Sequence, residues 1–253
     1  MSLANFPVYQ NPQSDGSAFH WKGSSTGILL IHGFTATTTE VRLFAEALRP
    51  KGYTISAPVL PGHNATIQDL HKTRMEDWLG CVEKAYLELA SACSACIVAG
   101  ESLGGLLSLY LASKYPEIRG ILLFAPAISV PSLHLAPYVA PFVRYRKKKN
   151  IDLNSPWKGY NVVPMRAAVE LLRTQRLIKS RLSQVAQPAL IFQGMKDGTI
   201  NPEGARLVYD GIQSNYKDLI ILENAHHCIL LDGALPEVVE RSNRFIHQYA
   251  SIS

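Results

Sequence analysis

The sequence predicts an α/β protein: a mostly parallel central sheet flanked by helices, with a mostly helical cap inserted between two core strands. Three observations lead there. Short apolar runs recur at residues 27–31, 53–57, 95–99, 120–124, 189–193 and 219–222, and continuous runs of this kind suit strands covered on both faces. Longer amphipathic stretches alternate with them, as expected of a parallel sheet with crossover helices. The alternation breaks once, over residues 127–185, a stretch too long for a structureless loop.

Taken in order, residues 38–50 carry Val41, Phe44, Ala45 and Leu48, an i, i+3, i+4, i+7 set that marks one buried helix face. Residues 73–90 repeat the pattern with Trp78, Val82, Ala85 and Leu89. Further helices are expected over 103–114, 202–212 and 236–249. Within the insertion, Met165, Ala168, Val169 and Leu172 predict a helix over 164–180. All these stripes read as core packing. The expected division is a core of residues 1–126 and 186–253, with 127–185 as the cap.

Hydrophobic residues make up 47% of the chain and charged residues 18%, a globular balance with ample length for one core. The formal charge of +5 is concentrated partly in Arg144-Tyr-Arg-Lys-Lys-Lys149, which is read as a solvated face. No nucleic-acid motif surrounds it. No apolar segment is long enough to span a bilayer, and no secretory leader is seen at the N-terminus. The expected location is therefore the cytoplasm, although a processed secreted form would look the same. Cys93-Ser-Ala-Cys96 is a CxxC without a second pair of suitable spacing, so structural thiols are expected rather than a metal site.

The chemistry-bearing signal is Gly100-Glu101-Ser102-Leu103-Gly104. Its context matters more than its five residues: the apolar run 95–99 enters it and a helical pattern leaves it. A strand–turn–helix bend lifts the serine Oγ above the sheet, and the flanking glycines let strand and helix approach. A serine hydroxyl needs a base. In a sheet of this type the order is serine, acid, histidine, and two adjacent histidines qualify downstream, His226 and His227, with His227 preferred. His20, His71, His134 and His247 are set aside as surface or packing residues. The acid should follow the preceding strand, which selects Asp197; Asp232 is a second candidate, read instead as a start signal for the last helix. Donors for a developing oxyanion are expected in His32-Gly33-Phe34-Thr35, with the amides of Phe34 and Leu103 as the pair. His32 and His63 are read as structural braces of the loops they sit in.

These residues resemble the α/β-hydrolase superfamily, and within it the small bacterial carboxylesterases related to monoacylglycerol lipases. The markers are His32-Gly33-Phe34-Thr35, Val41-Arg42, Lys51-Gly52-Tyr53, Pro61-Gly62-His63, Gly100-Glu101-Ser102-Leu103-Gly104-Gly105, Asp197 and His227-Cys228-Ile229-Leu230-Leu231-Asp232. The resemblance implies an α/β-hydrolase fold and a Ser102–Asp197–His227 triad. It also implies an oxyanion hole at Phe34 and Leu103, with the insertion acting as a lid. It settles the choice between the paired histidines, because the family's histidine precedes an apolar stretch ending in Asp. Two positions depart from the pattern: Ala36 stands where the family often has glycine, and the acidic Glu101 precedes the nucleophile.

The expected activity is hydrolysis of short- to medium-chain carboxylic esters through an acyl-enzyme, with no cofactor or metal and a small-molecule ester as partner. Leu133, Tyr138, Phe142, Val143 and Ile200 are the expected substrate-binding surface. A monoacylglycerol lipase or thioesterase activity is the nearest alternative. A non-catalytic ligand-binding protein is the alternative from another class. Serine at position 102 disfavours the aspartate-nucleophile chemistries of the same fold.

Overall fold

The computed structural model describes residues 8–148 and 155–250. In chain order its strands are β1 (Tyr9–Gln10), β2 (Phe19–Trp21), β3 (Thr26–Ile31), β4 (Thr54–Ala57), β5 (Ala95–Glu101) and β6 (Gly120–Phe124). They continue with β7 (Tyr145–Lys147), β8 (Gly159–Tyr160), β9 (Val162–Pro164), β10 (Ala189–Gly194) and β11 (Lys217–Leu222). The helices are α1 (Thr39–Leu48), α2 (Ile67–Lys72), α3 (Met75–Ala92), α4 (Leu103–Lys114), α5 (Ala136–Val139), α6 (Met165–Lys179), α7 (Glu203–Gly211) and α8 (Leu235–Ala250).

Seven strands form one sheet in the order β11-β10-β6-β5-β3-β4-β2. All neighbours run parallel except the edge pair β2–β4. The central strands β5, β6 and β10 are buried along their whole length, which is why they read as unbroken apolar runs. At β11 the expectation of burial on both faces fails. It is the sheet edge, and Ile221 is 45% exposed. The opposite edge strand β2 left no readable signal because three residues are too few to show alternation.

Helix α1 buries Val41, Phe44, Ala45 and Leu48, the four residues its periodicity singles out. Burying aliphatic and aromatic side chains of this kind contributes roughly 1.5–3 kcal/mol each. Helix α4 is apolar all round and buried over most of its length, as a helix enclosed between sheet and cap must be.

The insertion is less helical than expected. Beside α5 and α6 it contains three strands of two or three residues, with β7 pairing antiparallel to β9. Strands this short leave no alternation in a sequence. The segment around β8 is stitched to residues far outside the insertion. Tyr9 pairs with Tyr160, the Tyr160 amide donates to the Thr35 carbonyl at 2.8 Å, and the Tyr160 hydroxyl donates to Gly62 at 3.1 Å. Arg144, Arg146 and Lys147 lie on the solvent face as expected. Lys148 turns inward over the Trp157 ring, 4.2 Å from its centroid, while Lys149 lies outside the described residues.

Candidate active site

The parallel strands deliver their C-terminal ends to one edge, where crevices form in sheets of this type. Ser102 directly follows β5, Asp197 lies three residues past β10, and His227 five past β11. His227 Nε2 is 3.1 Å from Ser102 Oγ, and His227 Nδ1 is 2.8 Å from Asp197 Oδ2. A groove lined by Tyr216, Lys217, Arg241 and Arg244 opens instead at the N-terminal ends of β10 and β11, on the far side of the sheet from this chemistry.

Ser102 adopts φ 56°, ψ −111°, a backbone region that costs on the order of 1–3 kcal/mol for a residue with a Cβ. The strain is held by neighbours: its amide donates to Phe124 at 2.9 Å and its carbonyl accepts from Ala127 at 3.0 Å. The glycines are steric requirements. A Cβ on Gly100 would lie 2.2 Å from the Gly104 backbone, and one on Gly104 would lie 1.9 Å from the Ile31 carbonyl oxygen.

Asp197 is sheltered and fully engaged. Oδ1 accepts the amides of Thr199 at 2.8 Å and Ile200 at 3.0 Å, and Oδ2 accepts Gln193 Nε2 at 3.1 Å as well as the imidazole. Burial pushes this carboxyl up, but the His227 hydrogen bond and charge, with the two amides, hold it below its ordinary value. It is therefore an acceptor able to fix the imidazole with Nδ1–H toward it and Nε2 free for the serine proton. His226, the alternative, is exposed; its ring and amide both engage Asp232, at 3.0 and 2.7 Å. Asp232 thus clasps the histidine loop with its side chain, while its carbonyl accepts the amide of Leu235, the first residue of α8, at 3.0 Å.

The loop after β3 packs beside the nucleophile: a Cβ on Gly33 would sit 3.2 Å from Ser102 Cβ. The amides flanking Phe34 are committed, Gly33 to Glu40 Oε2 and Thr35 to His63 Nε2. Leu103 is the first residue of α4, where amides have no carbonyl partner within the helix. His32 Nε2 accepts from the Leu60 amide at 3.1 Å and Nδ1 lies 2.9 Å from the Gly33 carbonyl. Burial pushes His32 down to about 4. Burial and the neighbouring His32 hold His63 well below its usual value. Both rings are neutral braces. The departure at Ala36 is accommodated because the left-handed residue in the loop is Thr35, at φ 65°.

The five residues of the expected substrate surface differ in their surroundings. Tyr138, Phe142 and Val143 are 75%, 88% and 39% exposed, because α5 turns Ala136, Val139 and Ala140 toward Met165 and Ala168 instead. Leu133 packs between core and cap. Ile200 is buried in the core and meets the site through its amide. Sequence reasoning passed over Glu40, Gln193 and Trp157. A buried-strand glutamine four residues before Asp197 was the one available signal. Cys93 and Cys96 are free, buried thiols.

A family profile described as serine aminopeptidase, S33 (Hydrolase_4) matches residues 24–153 and 140–234. The chain belongs to this hydrolase family. Within it, the chain is 33% identical over 241 residues to a thermostable monoacylglycerol lipase of Bacillus sp. (strain H-257), covering 94% of this chain and 96% of that one. It is 30% identical over 220 residues to a carboxylesterase of Bacillus subtilis (strain 168), covering 85% and 89%. A solved structure reported with the metagenome-derived lipolytic enzymes LipS and LipT superposes with a TM-score of 0.88 at 29% identity, over 92% of this chain and 98% of the other. A monoacylglycerol lipase from Paleococcus ferrophilus shares the fold, with a TM-score of 0.77 at 18% identity, over 92% and 100%. The chain is an α/β-hydrolase.

Proposed function

We propose that the protein hydrolyses carboxylic esters through an acyl-enzyme on Ser102, with His227 as general base and acid and Asp197 as its orienting partner. The observation that carries this reading is the unbroken Ser102–His227–Asp197 hydrogen-bond chain at a strained strand–helix turn. Ser102 Oγ attacks the ester carbonyl as its proton passes to His227 Nε2. The amides of Phe34 and Leu103 receive the developing oxyanion. His227 then protonates the departing alcohol, and a water activated by the same ring releases the acid.

Carboxylic ester hydrolysis also agrees with the relatives' activities. One is named a carboxylesterase and another a monoacylglycerol lipase, so the proposed substrates are short- to medium-chain esters, with monoacylglycerols as the second reading. Residues 127–185 are taken as the lid over the site. Ser102→Ala should lower turnover of p-nitrophenyl butyrate by at least about 10⁴-fold, the scale of nucleophile loss in serine hydrolases; near-normal turnover overturns the reading. A panel of p-nitrophenyl esters, monoacylglycerols and acyl-CoA then orders the substrates.

A further inference from the structure

Two buried carboxyls that the triad chemistry leaves unused stand behind it. Glu40, 3% exposed on α1, and Glu101, 0% exposed at the end of β5, approach the catalytic loops from different sides. Glu40 Oε2 accepts the Gly33 amide of the oxyanion loop, and Oε1 accepts Trp157 Nε1 at 3.2 Å. The same Oε1 lies 3.8 Å from Cys228 Sγ, which donates to it. Glu101 Oε1 accepts the Leu230 amide at 3.3 Å, and its Oε2 is buried with no hydrogen-bond partner among the described residues. Cys228 and Leu230 belong to the loop that carries His227. Both acids therefore hold the histidine loop, and one also holds the oxyanion loop.

Resting on the triad reading above, we infer that Glu40 and Glu101 are positioning residues that fix the oxyanion loop, through Gly33, and the histidine loop, through Cys228 and Leu230, relative to Ser102. A donor amide or an imidazole displaced by an ångström loses most of its value in the transition state, whereas ground-state binding is little touched. Each carboxyl also depends on its protonation. Burial raises Glu40, opposed by the Gly33 and Trp157 donors and by the charges of His227 and Lys148. Burial raises Glu101 well above its usual value, helped by the charges of Glu40 and Asp197 and opposed by the Leu230 and Ile229 amides. Cys228, the thiol between the two acids, is raised well above its usual value by burial and by their charges. The two cannot both ionise without repulsion across the loop they share.

The test uses the full chain, with active sites counted by a fluorophosphonate and folding checked by circular dichroism. Glu101→Ala should lower kcat for p-nitrophenyl butyrate at least about tenfold with KM within about twofold, the split expected of a transition-state effect. Glu101→Gln keeps an acceptor for Leu230 and should restore kcat to within about threefold. Glu40→Gln offers one carbonyl to both Gly33 and Trp157 and should lower kcat about fivefold or more, again at constant KM. Where the alanine variant does not fold, Glu101→Leu takes its place. If these variants lose melting temperature alone, with kcat and KM as in the wild type, the inference is overturned. Should Ser102→Ala stay active, the triad reading fails instead, so the two failures are separable.

Discussion

At the scale of single residues, the site is built from atoms that have no room to be anything else. Gly104 is the sharpest case, because any Cβ there meets the Ile31 carbonyl at 1.9 Å. Gly104→Ala should destabilise the fold by about 3 kcal/mol or more, in the range of forced backbone shifts in a packed core, read from urea unfolding. His32 makes a pH prediction with a definite sign. Its folded value is about 4, below the ordinary value of about 6.5. Between those limits the unfolded chain binds a proton that the buried ring refuses. Stability is therefore complete above about pH 6.5 and falls toward about pH 4, by up to about 3 kcal/mol from this ring alone. His63 acts in the same direction. His32→Asn keeps a donor for Gly33 and should flatten the slope of unfolding free energy against pH over that window; an unchanged slope contradicts the assignment of a neutral brace.

At the scale of elements, the strand–helix turn between β5 and α4 was legible because its pieces are local: an apolar run, two obligatory glycines and a helical stripe. Predicted boundaries for β6 and α4 coincide with the observed ones. The cap was less legible because its elements are short and its contacts distant. Residues 138, 142 and 143 are apolar in sequence, yet α5 has only four residues and faces inward through Ala136 and Val139. All three stand exposed on the surface of the insertion. Tyr138→Ala and Phe142→Ala should each leave kcat/KM for p-nitrophenyl butyrate within about twofold, as surface changes away from a site do. A tenfold rise in KM restores them to the pocket.

At the scale of the whole molecule, the insertion is tied to the core through buried polar contacts rather than lying loosely on it. Trp157 reaches Glu40, Tyr160 reaches Thr35 and Gly62, and Lys158 Nζ donates to Pro12 and Ser14 carbonyls at 3.1 and 2.6 Å. Trp157→Phe removes one donor to a buried carboxylate and should lower stability by about 1.5–3 kcal/mol, measured by thermal unfolding. None of these long-range ties has a sequence period, so none could be read in advance. The triad could be, because the parallel sheet forces Ser102, Asp197 and His227 to one edge in chain order. Glu101 stood out in the sequence only as a departure, and its role becomes visible once Leu230 folds back onto it.

The central claim is that Ser102 carries the acyl group. Reacting the protein with a fluorophosphonate and mapping the adduct by peptide mass spectrometry tests it most directly. The account predicts one equivalent on Ser102, with loss of ester turnover in proportion to labelling. Full turnover in protein already labelled at Ser102, or an inactivating adduct on another residue, contradicts it.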